Sequence, residues 1–148
     1  MKVGEEKQVF DLVMAGFHEY VLPDMTEEGK IEFIRAAREF IYERPAAHFI
    51  LVAESKNDII GMIDIKGNNH ICLFFIASEF HRKAIGRYLL RQAKAACIAN
   101  DPNIIELDVN SSLFAVPIYE RLGFSQTMSE QFVNGIRFVP MSKEIREW

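Results

Sequence analysis

Apolar side chains recur every three to four positions over residues 5–21, at Val9, Phe10, Val13, Met14, Phe17, Tyr20 and Val21. That spacing predicts an amphipathic helix. Leu22-Pro23-Asp24 breaks it, and Thr26-Glu27-Glu28 reads as a cap and acidic first turn. Ile31, Ile34, Ala37, Phe40 and Ile41 then mark a second helix ending before Pro45. From His48 the period shortens. Residues 48–54 form an apolar run, Ser55 to Asp58 supplies turn chemistry, and residues 59–66 form a second run. After the turn Lys66-Gly67-Asn68-Asn69, residues 71–77 form a third, so three strands in tight succession predict an antiparallel meander.

A helix follows, with Gly86, Leu89, Leu90, Ala93 and Cys97 on one face, and it ends near Asn100-Asp101-Pro102. Residues 104–109 alternate, with Ile105, Leu107 and Val109 set against Glu106 and Asp108. A strand reached through a crossover helix is expected to run parallel to the preceding strand. Asn110-Ser111-Ser112 offers an N-cap for a helix over 114–122, where Pro117 is tolerable only near the first turn. Gly123 suits the helix end and Phe124 opens another strand. Asn134-Gly135 is a strong hairpin signal, with residues 136–143 as the returning strand. The pattern predicts an α/β fold with a mixed sheet, antiparallel first and parallel between the third run and residues 104–109. Ligands tend to bind at the C-terminal ends of parallel strands that part.

At 148 residues, 49% hydrophobic and 26% charged, the chain is expected to be one soluble globular domain over 1–148. No apolar run approaches the roughly 20 residues that span a bilayer, and the acidic start has no signal-peptide core. Cys72 and Cys97 both sit in apolar segments, so buried thiols are expected rather than a disulfide framework. A cytoplasmic location follows as the default. The formal charge of −4 argues against general nucleic-acid binding and mildly favours a cationic small molecule.

Chemistry concentrates where the third strand meets its helix, in His81-Arg82-Lys83-Ala84-Ile85-Gly86. A helix N-terminus carries unpartnered N–H groups and partial positive charge. Arg82, Lys83 and Arg87 add cations, and Gly86 permits close approach of a ligand to the backbone. The plainer reading is a strand-to-helix connection with solvated basic residues. Neither G-x-x-x-x-G-K-[ST] nor G-x-G-x-x-G occurs, so the common nucleotide loops are excluded.

The hexad resembles the pyrophosphate loop Q/R-x-x-G-x-G/A of the GNAT superfamily of N-acetyltransferases. His81 stands for Gln/Arg, Ala84 for the first Gly and Gly86 for the second, so two marked positions depart. A second stretch, LDVNSSLFAVPIYERLGF over 107–124, resembles the family's strand-helix-strand signature through Asn110, Ala115, Tyr119, Glu120, Leu122, Gly123 and Phe124. The element order also matches, apart from the family's first strand, for which only residues 1–4 remain.

The resemblance implies a GNAT-like fold of six to seven strands and about four helices, with acetyl-CoA as co-substrate. Pantetheine would pair with the backbone of Phe74, Phe75 and Ile76, and pyrophosphate would lie on the N–H groups from Arg82 to Arg87. Asn110 and Ala115 would flank the thiol end. Binding is expected to survive both loop departures. Ala84 is acceptable if its φ is negative, and His81 still offers a hydrogen-bond donor. Tyr119 takes the position of the family's general acid, against a plainer reading as a core tyrosine with an ordinary hydrogen bond. His70 falls where some members place a base; its ordinary imidazole pKa near 6.5 suits that work, and a water-facing turn histidine is the alternative. The acceptor would be a primary amine of a small molecule or peptide, met by Glu19, Tyr20 and Asp24 between the first helices, or by Asp64. No metal is implied. Dimers are common in the family, and nothing in the sequence locates an interface. Two other readings remain open: a non-catalytic acyl-CoA-binding module with this fold, and an unrelated phosphate-binding α/β protein.

Overall fold

The computed structural model describes residues 1–148. α1, Glu6–Gly16, runs on through a π-helical turn, Phe17–Val21, and a 3-10 turn, Leu22–Asp24. α2, Glu27–Arg38, starts at Thr26, whose hydroxyl accepts from the Gly29 N–H at 3.1 Å, and it also ends in a π-helical turn, Glu39–Glu43. β1 (His48–Ser55), β2 (Asp58–Lys66) and β3 (His70–Ile76) form the expected antiparallel meander. After a 3-10 turn at Ser78–Phe80 comes α3, Ile85–Asn100, the crossover to β4, Glu106–Ser111. α4, Val116–Arg121, is shorter than its pattern, and Phe114 lies outside it. β5 is only Ser125–Gln126. β6 (Gln131–Val133) and β7 (Ile136–Glu144) form the hairpin at Asn134-Gly135, where φ values of 52° and 81° satisfy a type I′ turn.

The seven strands run in the order β1-β2-β3-β4-β7-β5, with β6 paired to β7. β3 and β4 are the parallel pair, as expected. Residues 1–4 form no strand. The Met1 ammonium donates to the Ile50 carbonyl at 2.6 Å, on the edge of β1.

Alternation along the strands divides the core in two. Ile63, Ile65, Ile71, Leu107 and Val109 pack beneath α3 and α4. Met62, Leu73 and Ile50 pack beneath α1 and α2, with Val9, Val13 and Ile41. One irregularity shifts this alternation. Asp64 pairs with Leu73 and Ile65 with Ile71, so β3 carries one extra residue, Cys72. The bulge turns Cys72 onto the α1/α2 face beside Leu73.

Two contacts join the distant ends of the chain above the sheet. Thr26 Oγ1 donates to the Gly135 carbonyl at 3.0 Å, locking the start of α2 to the hairpin turn. A Cβ on Gly29 would meet that carbonyl oxygen at 2.2 Å, so glycine is required there by backbone contact.

Candidate active site

β3 and β4 pair only at His70–Asp108 and Ile71–Val109. Beyond these residues the strands part, each still held on its other side, β3 by β2 and β4 by β7. The Ala77 N–H donates to the Ile60 carbonyl on the β2 side. Backbone direction alternates along a strand, so the N–H and C=O groups of Ile76 and Phe74 face the slot between the parted strands. Apart from the Ile76 carbonyl, which accepts from His81 Nε2–H at 2.8 Å, they form an unpaired polar edge suited to an extended amide-bearing chain.

At the open end of the slot sits the N-terminus of α3. No side chain caps it, and its first turn contains no acid. Arg82, Lys83, Ala84 and Arg87 are exposed around it. The expectation of a negative φ at Ala84 is overturned, since its φ is +63° and that of Arg82 is also +63°. The turn keeps the left-handed geometry that a glycine would adopt freely, and Ala84 bears the methyl clash. A Cβ on Gly86 would meet Phe74 and Ile76 at 3.7 and 3.8 Å, ordinary contact, so protein packing does not demand that glycine. His81 does serve as a donor: its Nε2–H bonds the slot-facing carbonyl of Ile76 at 2.8 Å.

Tyr119 is buried beside the slot, 7% exposed, with its ring 6.3 Å from that of Phe74 and 5.4 Å from that of Phe124. Burial pushes the phenol pKa up, which keeps the proton on oxygen through the neutral range. The hydroxyl has no protein partner, yet it is not sealed from solvent. The one sealed and unpartnered side-chain polar atom is Nε1 of Trp148. Ala115 packs against the main core near Tyr119, and its N–H is taken by Ser112. Asn110 is exposed on β4 where the strands part. Phe75 points to the opposite face, beneath α1, and its N–H and C=O face Met62 on β2, so the expected pairing of pantetheine with its backbone is not met.

His70 does not simply face water. Its Nδ1–H donates to the Asp108 carboxylate, its register partner across the closed end of the slot. In the sequence Asp108 is only the polar half of an alternation. The pairing register that joins it to His70 carries no local sequence signal.

Glu19 and Tyr20 reach the slot's mouth because the π-helical turn carries them to Ser78. The Ser78 hydroxyl donates to Glu19 at 2.9 Å, and Tyr20 OH lies 3.0 Å from Ser78 Oγ. The Tyr20 ring stacks on Phe114 at 4.6 Å and tilts against His81 at 5.5 Å. Side chains that follow β3 and β4 are thus bridged by one tyrosine. Asp24 is exposed, on the side of Arg137. Asp64 is not available to an acceptor. It is fully buried beneath α2 and holds the Nδ1–H of His48 with both oxygens, at 2.9 and 3.0 Å.

A groove of about 620 Å³ lies elsewhere, between α3 and the edge of β1 by Met1, Leu51, Ala53 and Tyr88. Its lining holds no imidazole or thiol. At the slot, Tyr20, Phe114 and His81 pack together across the mouth. No helix is long and apolar enough to cross a membrane.

Known folds resemble this one throughout. A GCN5-related N-acetyltransferase from Rhodopseudomonas palustris superposes with a TM-score of 0.80, covering 98% of this chain and 92% of that one at 17% identity. PaiA N-acetyltransferase from Thermoplasma acidophilum, solved with coenzyme A, gives 0.71 over 97% and 95% at 17% identity. An aminoglycoside 6′-N-acetyltransferase from Enterococcus faecium gives 0.66 over 95% and 90% at 14% identity. At these identities what is shared is the fold. The family model for the acetyltransferase (GNAT) domain matches residues 21–145, most of the chain. The chain therefore belongs to the GNAT acetyltransferase family.

Proposed function

We propose that this protein transfers the acetyl group of acetyl-CoA to a primary amine of a small molecule or peptide by direct attack. The observation that carries the reading is the edge of β3 left free of strand partners beside an uncapped, cation-ringed helix N-terminus. Pantetheine carries amides at intervals along an extended chain. The backbone groups of Phe74 and Ile76 match it, while the N–H groups at the start of α3, with Arg82, Lys83 and Arg87, match its pyrophosphate. Asn110 and Ala115 flank the thioester end. The Ile76 N–H polarises the thioester carbonyl in this reading.

Alignment in the slot supplies the largest share of the rate, of order 7–11 kcal/mol when two reactants are well oriented. The amine nitrogen forms a bond to the carbonyl carbon, and the carbon–sulfur bond breaks. Tyr119 gives its proton to the departing sulfur and recovers one through solvent. The amine loses its proton to His70, which Asp108 orients, or to water. Glu19, Tyr20 and Asp24 line the acceptor's approach.

The test is release of free CoA thiol from acetyl-CoA in the presence of a panel of primary amines. Tyr119→Phe is expected to lower kcat by about 10²-fold, the lower range for a proton-transfer group, with the KM for acetyl-CoA unmoved. Unchanged kcat removes Tyr119 from the reaction. His70→Ala is expected to lower kcat without weakening acetyl-CoA binding. A second reading, an acyl-CoA-binding module without turnover, is favoured by the strained Ala84 and by the His81 bond to the Ile76 carbonyl. Binding of acetyl-CoA with no thiol release from any amine would select it.

A further inference from the structure

On the α1/α2 face, away from the slot's α3 end, three donor groups of different chemistry converge from three adjacent strands: His48 from β1, Asp64 from β2 and Cys72 from β3. An imidazole nitrogen, a carboxylate oxygen and the thiol sulfur lie within 4.8 Å of one another. We propose that His48, Asp64 and Cys72 form a binding site for one thiophilic divalent ion of the zinc type.

Four observations support the site. First, its surroundings are apolar: Ile50, Met62 and Leu73 pack there, and the Phe40 ring lies 4.3 Å from that of His48. Second, the polar groups inside it are poorly satisfied. Asp64 has no exposure, and its two oxygens share a single donor, the Nδ1–H of His48. An ionised carboxylate offers about four acceptor sites, and burying it with one neutral donor is costly. Third, the Cys72 thiol reaches this face only through the extra residue in β3; without the bulge, regular alternation would place it under α3. Fourth, the spacing is within reach of a metal. Two ligand atoms on a tetrahedral ion with bonds of about 2.0–2.3 Å stand roughly 3.3–3.7 Å apart; the hydrogen-bonded His48–Asp64 atoms stand 2.9–3.0 Å apart, and the whole set, within 4.8 Å, closes on the ion by side-chain rotation. Nitrogen, oxygen and thiolate together select zinc over calcium or magnesium.

Binding is a balanced exchange. The Cys72 thiol loses its proton to solvent and forms a sulfur–metal bond. The His48 proton moves from Nδ1 to Nε2, which frees Nδ1 as a ligand. Asp64 contributes an oxygen already ionised. Water fills the fourth position. One proton is released per ion. Burial pushes the Cys72 thiol up to about 12, so without the ion it stays protonated.

The experiment is a titration of the reduced, full-length chain with Co²⁺, followed by optical absorption, then displacement by Zn²⁺. The expected result is one equivalent bound, with an intense thiolate-to-cobalt charge-transfer band that Zn²⁺ abolishes. The band is lost in Cys72→Ser and kept in Cys97→Ser, whose sulfur lies in the other core. Absence of the band in the unaltered chain overturns the proposal, and so does its survival in Cys72→Ser. Should Cys72→Ser fail to fold, thiol alkylation of the unaltered chain decides instead. Zn²⁺ is expected to slow labelling of Cys72 at least tenfold; equal labelling with and without Zn²⁺ overturns the site. No part of this readout depends on acetyl transfer.

Discussion

Ala84 is a single methyl group placed where the backbone asks for none. Its φ of +63° belongs to the left-handed region, which costs a side-chain-bearing residue about 1–2 kcal/mol. Glycine would lose about 0.5–1 kcal/mol through the entropy of the unfolded chain. Strain is the larger effect, so Ala84→Gly is expected to stabilise the fold by roughly 0.5–1 kcal/mol and to tighten acetyl-CoA binding. Denaturant midpoints and calorimetry check both. Destabilisation would show that the turn is relaxed in solution. Asp64 gives a second expectation at this scale, for the chain without metal. Burial, the largest cause, raises its carboxyl to about 6 against an ordinary 3.8, with His48 pulling the other way. A raised folded-state pKa means that the folded form holds the proton more tightly. That contribution is present below about pH 4 and is lost as pH rises through about 6. Unfolding midpoints of the chain and of Asp64→Asn, compared from pH 4 to 7, should diverge, with the unaltered chain losing ground. A constant difference would contradict the raised pKa.

Among the elements, the decisive relation is the lock between α2 and the β6–β7 hairpin. Gly29→Ala improves helix propensity by about 0.8–1 kcal/mol. Its new Cβ would meet the Gly135 carbonyl oxygen at 2.2 Å, backbone against backbone. Overpacking of that kind costs about 1–3 kcal/mol, so net destabilisation is expected, with the hairpin parting from α2. A lowered Tm with raised hydrogen exchange at 131–137 would show it; a higher Tm would mean that the contact is loose. The caps that begin and end these elements were legible because each acts locally. Thr26 caps α2, Ser112 leads into α4, Gly123 closes it at φ +96°, and Asn134-Gly135 turns the hairpin. The bulge at Cys72 was not legible, because it depends on how β3 pairs with β2. The π-helical turn at Phe17–Val21 continued the same apolar spacing and read as plain helix.

Across the whole molecule, two motifs in order were enough to anticipate the parted strands and the helix N-terminus beside them. Register and side-chain meetings were beyond them. Asp108 joins His70 through the two-residue pairing of β3 with β4. Phe114 joins Tyr20 across the slot's mouth. Asp64 turned inward to His48 rather than toward an acceptor. Each is a contact between residues distant in sequence, fixed by topology rather than by local pattern. The β1 edge meets the Met1 ammonium, far from the slot, at the Ile50 carbonyl. The account's central claim is that this slot, with its departures at His81 and Ala84, holds acetyl-CoA. Calorimetric titration of the purified chain with acetyl-CoA, and with ATP as the control, tests it most directly. Saturable one-site binding of acetyl-CoA, with none of ATP, is the predicted result; no acetyl-CoA binding by chain shown to be folded would contradict it.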